Sequence, residues 1–171
     1  GQSYSCTITN TRKADIVVVK ETIPPGSTTL FPFTASYTST AFVLTDGQAA
    51  ESGLLPPGTY AVTETVPAGW EQVATGCSNG SEPSGISLRA GETVTCTFTN
   101  RQMGAIQLRK QLVPPGASAT FSFTASYAPD GFSLADGGVH SSGFLPAGVY
   151  TVAETAPLPG GWVQTGFDCS D

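Results

Sequence analysis

An internal repeat limits what this chain can fold into more than any other feature of its sequence. The segment "GQSYSCTITN" at Gly1 returns 90 residues later as "GETVTCTFTN" at Gly91. Further segments keep this offset, namely those that begin at Ile23, Phe31 and Pro56. A repeat of about 90 residues is long enough for one small sandwich domain. The chain therefore holds nearly two copies of one domain pattern.

The composition favours an all-β fold and excludes several classes of partner. Charged residues make up 12% of the chain, whereas it contains 20 Gly and 13 Pro, a balance typical of short strands joined by tight turns. A net charge of -6 argues against nucleic-acid binding, and no apolar run approaches the length of a membrane span. With one histidine and no C-x-x-C pair, we expect no metal centre and no cofactor. No leader precedes Gly1, so we expect a mature, soluble chain.

The chain starts and stops at unusual points within the repeat. The "CTITN" near the start corresponds to the closing segment of a repeat, and the second copy stops at Asp171 before any such segment. We therefore assign residues 1–12 to the closing strand of a preceding or neighbouring repeat. Residues 13–101 form the first β-sandwich repeat, and residues 102–171 form a second repeat that lacks its closing strand.

Alternation along the strands places polar side chains at the ends of buried rows. Ile106 and Leu108 are apolar while their neighbours are not, so Lys110 faces inward, as does Lys20 in the first copy. In the segments "TYAV" and "VYTV", the inward-facing alternate positions continue to a Glu. In the closing strand, they continue to an Asn at its end. These residues are Glu64, Glu154, Asn100 and Asn10.

A buried Lys, Glu and Asn have a specific chemistry available to them. Removal from water pushes an amine and a carboxyl group towards their neutral forms. A neutral Lys is a nucleophile, and a protonated Glu can polarise an amide carbonyl and carry protons to the leaving group. A nearby Asn amide could then be converted into a covalent Lys–Asn amide with loss of ammonia.

This order of residues resembles the Cna B-type, or prealbumin-like, domains of bacterial pilins and surface adhesins. The resemblance rests on a Lys that ends the first strand, an aromatic-x-x-x-Glu-Thr segment after "PPGT" or "PAGV", and a closing strand that ends in Asn. It implies two immunoglobulin-like or prealbumin-like sandwiches. It also implies an isopeptide bond between Lys20 and Asn100, with Glu64 as the catalytic carboxylate. In the second copy, Lys110 and Glu154 are left to combine with Asn10.

The four cysteines follow the repeat. Cys77 and Cys96 lie in one copy, and closing their loop would stabilise it by about 3 kcal/mol, so we expect that disulfide. Cys169 corresponds to Cys77, and Cys6 corresponds to Cys96. The sequence therefore favours a second link, between Cys6 and Cys169.

The N-terminal segment thus carries what the second repeat lacks, which predicts that the partner of the chain is another copy of the same repeat. The N-terminal strand of one chain would complete the second domain of a neighbour, which generates a head-to-tail filament. Two alternatives stay open. The links can instead join successive repeats of a longer polypeptide, or the strand can fold back within its own molecule.

We therefore expect a structural repeat of an extracellular fibre or surface stalk, with no catalytic turnover. The alternative is an adhesin module that binds a host or matrix ligand. The Asp-Gly pairs at Asp46 and Asp136 are typical of turns, and calcium binding there is a less favoured alternative.

Overall fold

The computed structural model describes residues 1–170 and divides into two compact units, Gly1–Gln102 (unit 1) and Met103–Asp171 (unit 2). Unit 1 contains one short 3-10 helix, Pro83–Gly85, and nine strands. The strands are β1 (Asp15–Ile23), β2 (Phe31–Ala35), β3 (Thr38–Leu44), β4 (Ala49–Glu51), β5 (Gly58–Tyr60), β6 (Val62–Glu64), β7 (Trp70–Cys77), β8 (Ile86–Leu88) and β9 (Thr93–Gln102).

Unit 1 is a sandwich of two main sheets. One has the strand order β4-β1-β9-β7, the other has the order β3-β2-β6, and β5 pairs with β8 at the side. Strands β1 and β9 run parallel, and Lys20 is in register with Phe98 while Thr22 is in register with Asn100. The two longest strands therefore lie side by side in the middle of one sheet.

The core of unit 1 arises from strict alternation along β1 and β9. Ile16, Val18, Val94, Cys96 and Phe98 are buried, and each is followed by a more exposed residue. Phe33 from the opposite sheet packs edge-on against Phe98, with ring centroids 5.2 Å apart. The sequence pattern of β1 is ambiguous because Val17 and Val19 are also apolar. The structure resolves it, since those two face outward and are only partly covered.

Unit 2 repeats part of this sandwich. Its described residues, 103–170, form five strands. They are β10 (Gln107–Arg109), β11 (Phe121–Ala125), β12 (Ala128–Leu134), β13 (Val139–Ser141) and β14 (Val152–Glu154). The order β12-β11-β14 matches the β3-β2-β6 sheet of unit 1, and β10 pairs with β13 as β1 pairs with β4.

The described part of unit 2 has no strand that corresponds to β9. Strand β10 spans three residues where β1 spans nine, and residues 162–170, which correspond to β7, form no strand. Backbone groups in a sheet need a neighbour to pair with, so the loss of one central strand removes the partner of both flanking segments. The described part of unit 2 is therefore an open sandwich.

The N-terminal segment, residues 1–13, is exposed and forms no regular strand in the single chain. Its apolar side chains Tyr4 and Ile8 are 84% and 88% exposed. The predicted role of residues 1–12 as a closing strand requires a partner sheet, and it stays a prediction. Within the described residues, no helix is long and apolar enough to cross a membrane.

Candidate functional site

A buried Lys–Glu pair lies between the two sheets of unit 1. Lys20 is near the end of β1 and Glu64 is the last residue of β6, so one strand from each sheet supplies a charged group. The Lys20 Nζ lies 3.4 Å from Glu64 Oε1, and both side chains are 0% exposed. The sequence predicts both on interior faces, and the structure brings them together.

The Lys20 amine is also held by the backbone and by an aromatic ring. Its Nζ donates hydrogen bonds to the carbonyl oxygens of Phe98, at 3.0 Å, and Glu21, at 2.7 Å. It lies 4.2 Å from the centre of the Phe31 ring. Burial lowers the pKa of the Lys20 amine, and the Glu64 carboxylate opposes that shift. The site therefore favours the neutral, nucleophilic form of Lys20 more than water does.

Asn100 is buried on the interior face of the sheet that carries Lys20. It follows Phe98 by two residues on β9, so its side chain leaves the sheet on the same face, and it is 0% exposed. Neither its Nδ2 nor its Oδ1 has a hydrogen-bond partner, and the two Glu64 oxygens also lack one. The Lys20–Glu64 contact is thus an ion pair without hydrogen-bond alignment. An unpartnered buried amide costs about 1–3 kcal/mol, so this arrangement calls for a reason.

Unit 2 contains the equivalent pair. Lys110 Nζ lies 2.7 Å from Glu154 Oε1, and the two side chains are 15% and 4% exposed. The amine lies 4.2 Å from the centre of the Phe121 ring, which matches Phe31 in unit 1. The short contact lacks hydrogen-bond alignment at the carboxylate oxygen, as in unit 1. The described part of unit 2 supplies no carboxamide in the position of Asn100.

A groove stands where the missing strand would lie. This unit 2 groove has a volume of about 530 Å³ and is lined by residues 110–114, Phe121, Glu154, Leu158 and residues 161–166. Both members of the Lys110–Glu154 pair therefore line a cleft that is open to solvent. The corresponding space in unit 1 is filled by β9.

Asn10 and Cys6, the predicted partners for this groove, lie in the exposed N-terminal segment. Cys6 and Cys169 are both free and exposed. The predicted disulfide between Cys77 and Cys96 is present and joins β7 to β9. In the single chain, the structure brings Lys20 to Glu64 and buries Asn100 on the interior face of β9. It does not bring Asn10 or Cys6 to unit 2.

Sequence reasoning missed the role of one carboxylate. Asp46 was expected to mark a turn, and Gly47 beside it does adopt a positive φ of 74°. In addition, the Asp46 oxygens accept hydrogen bonds from the backbone N–H groups of Thr22, at 2.5 Å, and Gly26, at 2.6 Å. The oxygens that a calcium ion would need are thus used to fix the chain just after Lys20. Asp136 holds the N–H groups of Leu112 and Gly116 in the same way.

Asp136 recurs at the repeat offset from Asp46, which is the signal that marks this carboxylate as more than a turn residue. Among the described residues, no group of three or more His, Cys, Asp or Glu side chains is arranged to hold a metal ion.

Replacing Asp46 with Asn should destabilise unit 1 in a pH-dependent manner. Hydrogen bonds from Gly26 and Thr22 hold the pKa of the Asp46 carboxyl below its usual value. A carboxyl whose pKa is depressed by folding adds stability above its unfolded pKa, and this is lost as the pH falls through the folded value. We expect a loss of about 1–2 kcal/mol at neutral pH that shrinks below about pH 4.

Chemical denaturation at neutral pH and below about pH 4 measures the difference in the free energy of unfolding between the variant and wild type. Glu51→Gln, on the exposed edge of β4, is the control and should change little at either pH. An Asp46→Asn effect that stays equal at neutral and acid pH would contradict the role assigned to the ionised carboxylate.

Comparison with known proteins identifies the family. The prealbumin-like fold domain family matches residues 16–102, which run from β1 to the end of β9. The match covers half of the chain, and the protein belongs to this family. The predicted all-β, prealbumin-like fold is confirmed. No curated protein matches the chain.

Solved structures resemble the chain at low identity. The Bacillus anthracis TIE protein is 24% identical, with a TM-score of 0.44, over 89% of this chain and 29% of that one. A streptococcal ancillary pilin is 18% identical, with a TM-score of 0.35, over 92% of this chain and 57% of that one. The C-terminal fragment of the pilus adhesin SpaC from Lactobacillus rhamnosus GG is 16% identical, with a TM-score of 0.33, over 90% of this chain and 78% of that one. This chain thus spans less than two thirds of the first two proteins.

Proposed function

We propose that this protein is a structural repeat of an extracellular fibre or surface stalk, and that Lys–Asn isopeptide bonds lock its units. One observation carries the proposal: the side chains of a Lys, a Glu and an Asn are fully buried in the core of unit 1, and the Asn amide has no hydrogen-bond partner. Buried ionisable groups and unpaired amides are costly to a fold. A covalent bond among them removes that cost.

The proposed step uses only the side chains in the core. The neutral Lys20 amine attacks the Asn100 side-chain carbonyl carbon, while Glu64 in its acid form donates a hydrogen bond to the carbonyl oxygen. The new C–N bond forms and the bond to Nδ2 breaks. Glu64 transfers the proton from the attacking nitrogen to the departing one, which leaves as ammonia. Each unit reacts once and consumes its own side chains, so the chain is not proposed to be an enzyme.

Unit 2 would perform the same step on a strand that comes from elsewhere. Its Lys110–Glu154 pair lines an open groove, and the N-terminal segment carries Asn10 in the sequence context of a closing strand. Insertion of that segment would supply the backbone hydrogen bonds that β10 and residues 162–170 lack. The donor is a second copy of this chain or a further repeat of the same polypeptide.

An extracellular location fits the disulfide. The Cys77–Cys96 bond joins two neighbouring strands of one sheet in unit 1, and such bonds persist in oxidising compartments. A stalk role also fits the repetition of the buried Lys–Glu pair in both units, because a ligand-binding arm would not require these two residues at equivalent buried positions.

Intact mass and denaturing electrophoresis of the chain beginning at Gly1 test the proposal. We expect a reduced monomer lighter than its sequence mass by one ammonia, with Lys20 and Asn100 in one branched peptide after digestion. We also expect a ladder of oligomers that survives boiling and reductant, each new link removing one further ammonia. A monomer of full sequence mass would refute the bond in unit 1, and a single monomer band would refute the link between units.

A further inference from the structure

The disulfide of unit 1 occupies a position that controls strand register. Cys77 lies directly across from Cys96 in the β7–β9 pair, and Cys96 precedes Asn100 by four residues on the same buried face. The same ladder shifts register between Gln72 and Ala74, through an irregularity in β7. The pairing of β7 with β9 is therefore offset by one residue between the two sides of that irregularity. The disulfide fixes the pairing on the side that contains Cys77 and Cys96.

Unit 2 has the same parts in unconnected form. Cys169 corresponds to Cys77, Cys6 corresponds to Cys96, and Asn10 follows Cys6 by four residues. Both thiols are free and exposed. The other closing strand of the chain, β9, is already occupied, because Cys96 is bonded and Asn100 is buried in unit 1. Among residues 1–170, the N-terminal segment is the closing-strand sequence that pairs with no sheet.

An incoming strand has several ways to lie in the groove, and most of them are unproductive. A shift of one residue turns every side chain to the opposite face. A shift of two keeps the face but puts Ile8 or Arg12 where Asn10 is needed, and neither carries a carboxamide. A closing strand within one domain is placed by its own chain, whereas a strand from another molecule is not. A separate device is needed to select the register.

We infer that Cys6 and Cys169 are the positioning residues that select it, an inference that rests on the proposed function. The pair bonds only when the two Cα atoms approach within about 7 Å. A slide by two residues moves one of them about 6.6 Å along the strand, which breaks that condition. In unit 1, Cys96 lies opposite Cys77, Phe98 is in register with Lys20, and Asn100 lies two residues beyond Phe98 on the same face. By that register, Cys6 opposite Cys169 puts Ile8 beside Lys110 and Asn10 two residues further on. The disulfide precedes the amide and selects the strand that can form it.

The disulfide step needs an oxidant, for which we name a small-molecule disulfide such as oxidised glutathione. The thiolate of Cys6 attacks it and forms a mixed disulfide, releasing one glutathione thiolate. The thiolate of Cys169 then attacks the Cys6 sulfur of that mixed disulfide and releases the second. The two cysteines are oxidised, the reagent is reduced to two thiols, and no other electron acceptor is required.

The test compares the rate of amide formation in two full-length chains, wild type and Cys6→Ser/Cys169→Ser, both kept in oxidised glutathione so that Cys77–Cys96 stays intact. Samples are boiled with reductant before electrophoresis, so that only amide-linked oligomers are counted. We expect the double variant to form them at least about tenfold more slowly. Without prior reduction, wild type should show disulfide-linked dimers before amide-linked ones.

The possible results distinguish the positioning role of Cys6 and Cys169 from the amide-linked fibre on which it rests. Equal rates of amide formation in the two chains would overturn the positioning role and leave the fibre proposal standing. Absence of reductant-stable oligomers from both chains would overturn the link between units and this inference with it. Because both cysteines are exposed and free, their replacement by Ser should not impair folding, which circular dichroism of the variant verifies.

Discussion

The Glu64→Gln variant should keep its full sequence mass, whereas the wild-type chain should be lighter than its sequence mass by one ammonia. Gln keeps the size of the side chain but cannot carry a proton from the attacking amine to the leaving nitrogen. General acid–base help of this kind is worth about 10²–10⁴ in rate, so the bond between Lys20 and Asn100 should be absent from freshly purified protein. Intact mass, compared with the sequence mass of each variant, measures the difference.

Loss of that bond should also lower stability. A cross-link that closes a loop of this length contributes about 4 kcal/mol in the chain-entropy model. For a domain of this size, we expect the melting temperature of unit 1 to fall by about 15–30 °C. Glu71→Gln is the matched control, because Glu71 forms only a partly exposed ion pair with Arg101 at 3.9 Å. The control should lose ammonia as wild type does, and a Glu64→Gln chain that does the same would remove Glu64 from the mechanism.

Two variants that are inactive alone should combine into a dimer and nothing longer. Lys110→Arg puts an always-charged guanidinium where a neutral amine is needed, so this chain can donate its N-terminal strand but cannot accept one covalently. Asn10→Ala removes the reacting carboxamide, so this chain can accept but not donate. A mixture therefore joins Asn10 of the first chain to Lys110 of the second. The resulting dimer has no reactive end left.

Denaturing electrophoresis after reduction checks this result. Wild type run in parallel should give the full ladder, and each variant alone should give monomer. Oligomers longer than a dimer in the mixture, or a ladder from either variant alone, would show that other residues form the links. If wild type instead loses two molecules of ammonia as a monomer, the N-terminal strand closes onto its own chain and the head-to-tail proposal is wrong.

Much of the candidate site could be predicted because the chain carries two copies of it. Alternation in "AIQLRK" was clear where "DIVVVK" was ambiguous, so Lys110 indicated the orientation of Lys20. The same comparison placed Glu64 and Asn100 on interior faces, where the structure has them buried. Parity along a strand depends only on local geometry, so a sequence is enough to reveal it.

What sequence reasoning missed depends on contacts between distant segments. An Asp-Gly pair predicts a turn. It does not reveal that the Asp46 carboxylate accepts hydrogen bonds from two N–H groups that lie 24 and 20 positions earlier in the chain. The length of β10 was equally hidden. Its sequence resembles that of β1, yet it forms only three residues of strand because the neighbour that would pair with it is not part of unit 2.

The parallel pairing of β1 and β9 has a mechanical consequence. Because the two strands run in the same direction, tension applied at Asp15 and at Gln102 pulls on opposite ends of adjacent strands and loads their hydrogen bonds in shear. If Lys20 is joined to Asn100 as proposed, the load would enter β1, cross the amide after five residues and leave through the last two residues of β9. The rest of the sandwich lies outside this load path and would stay folded under a pull that unravels an unlinked domain.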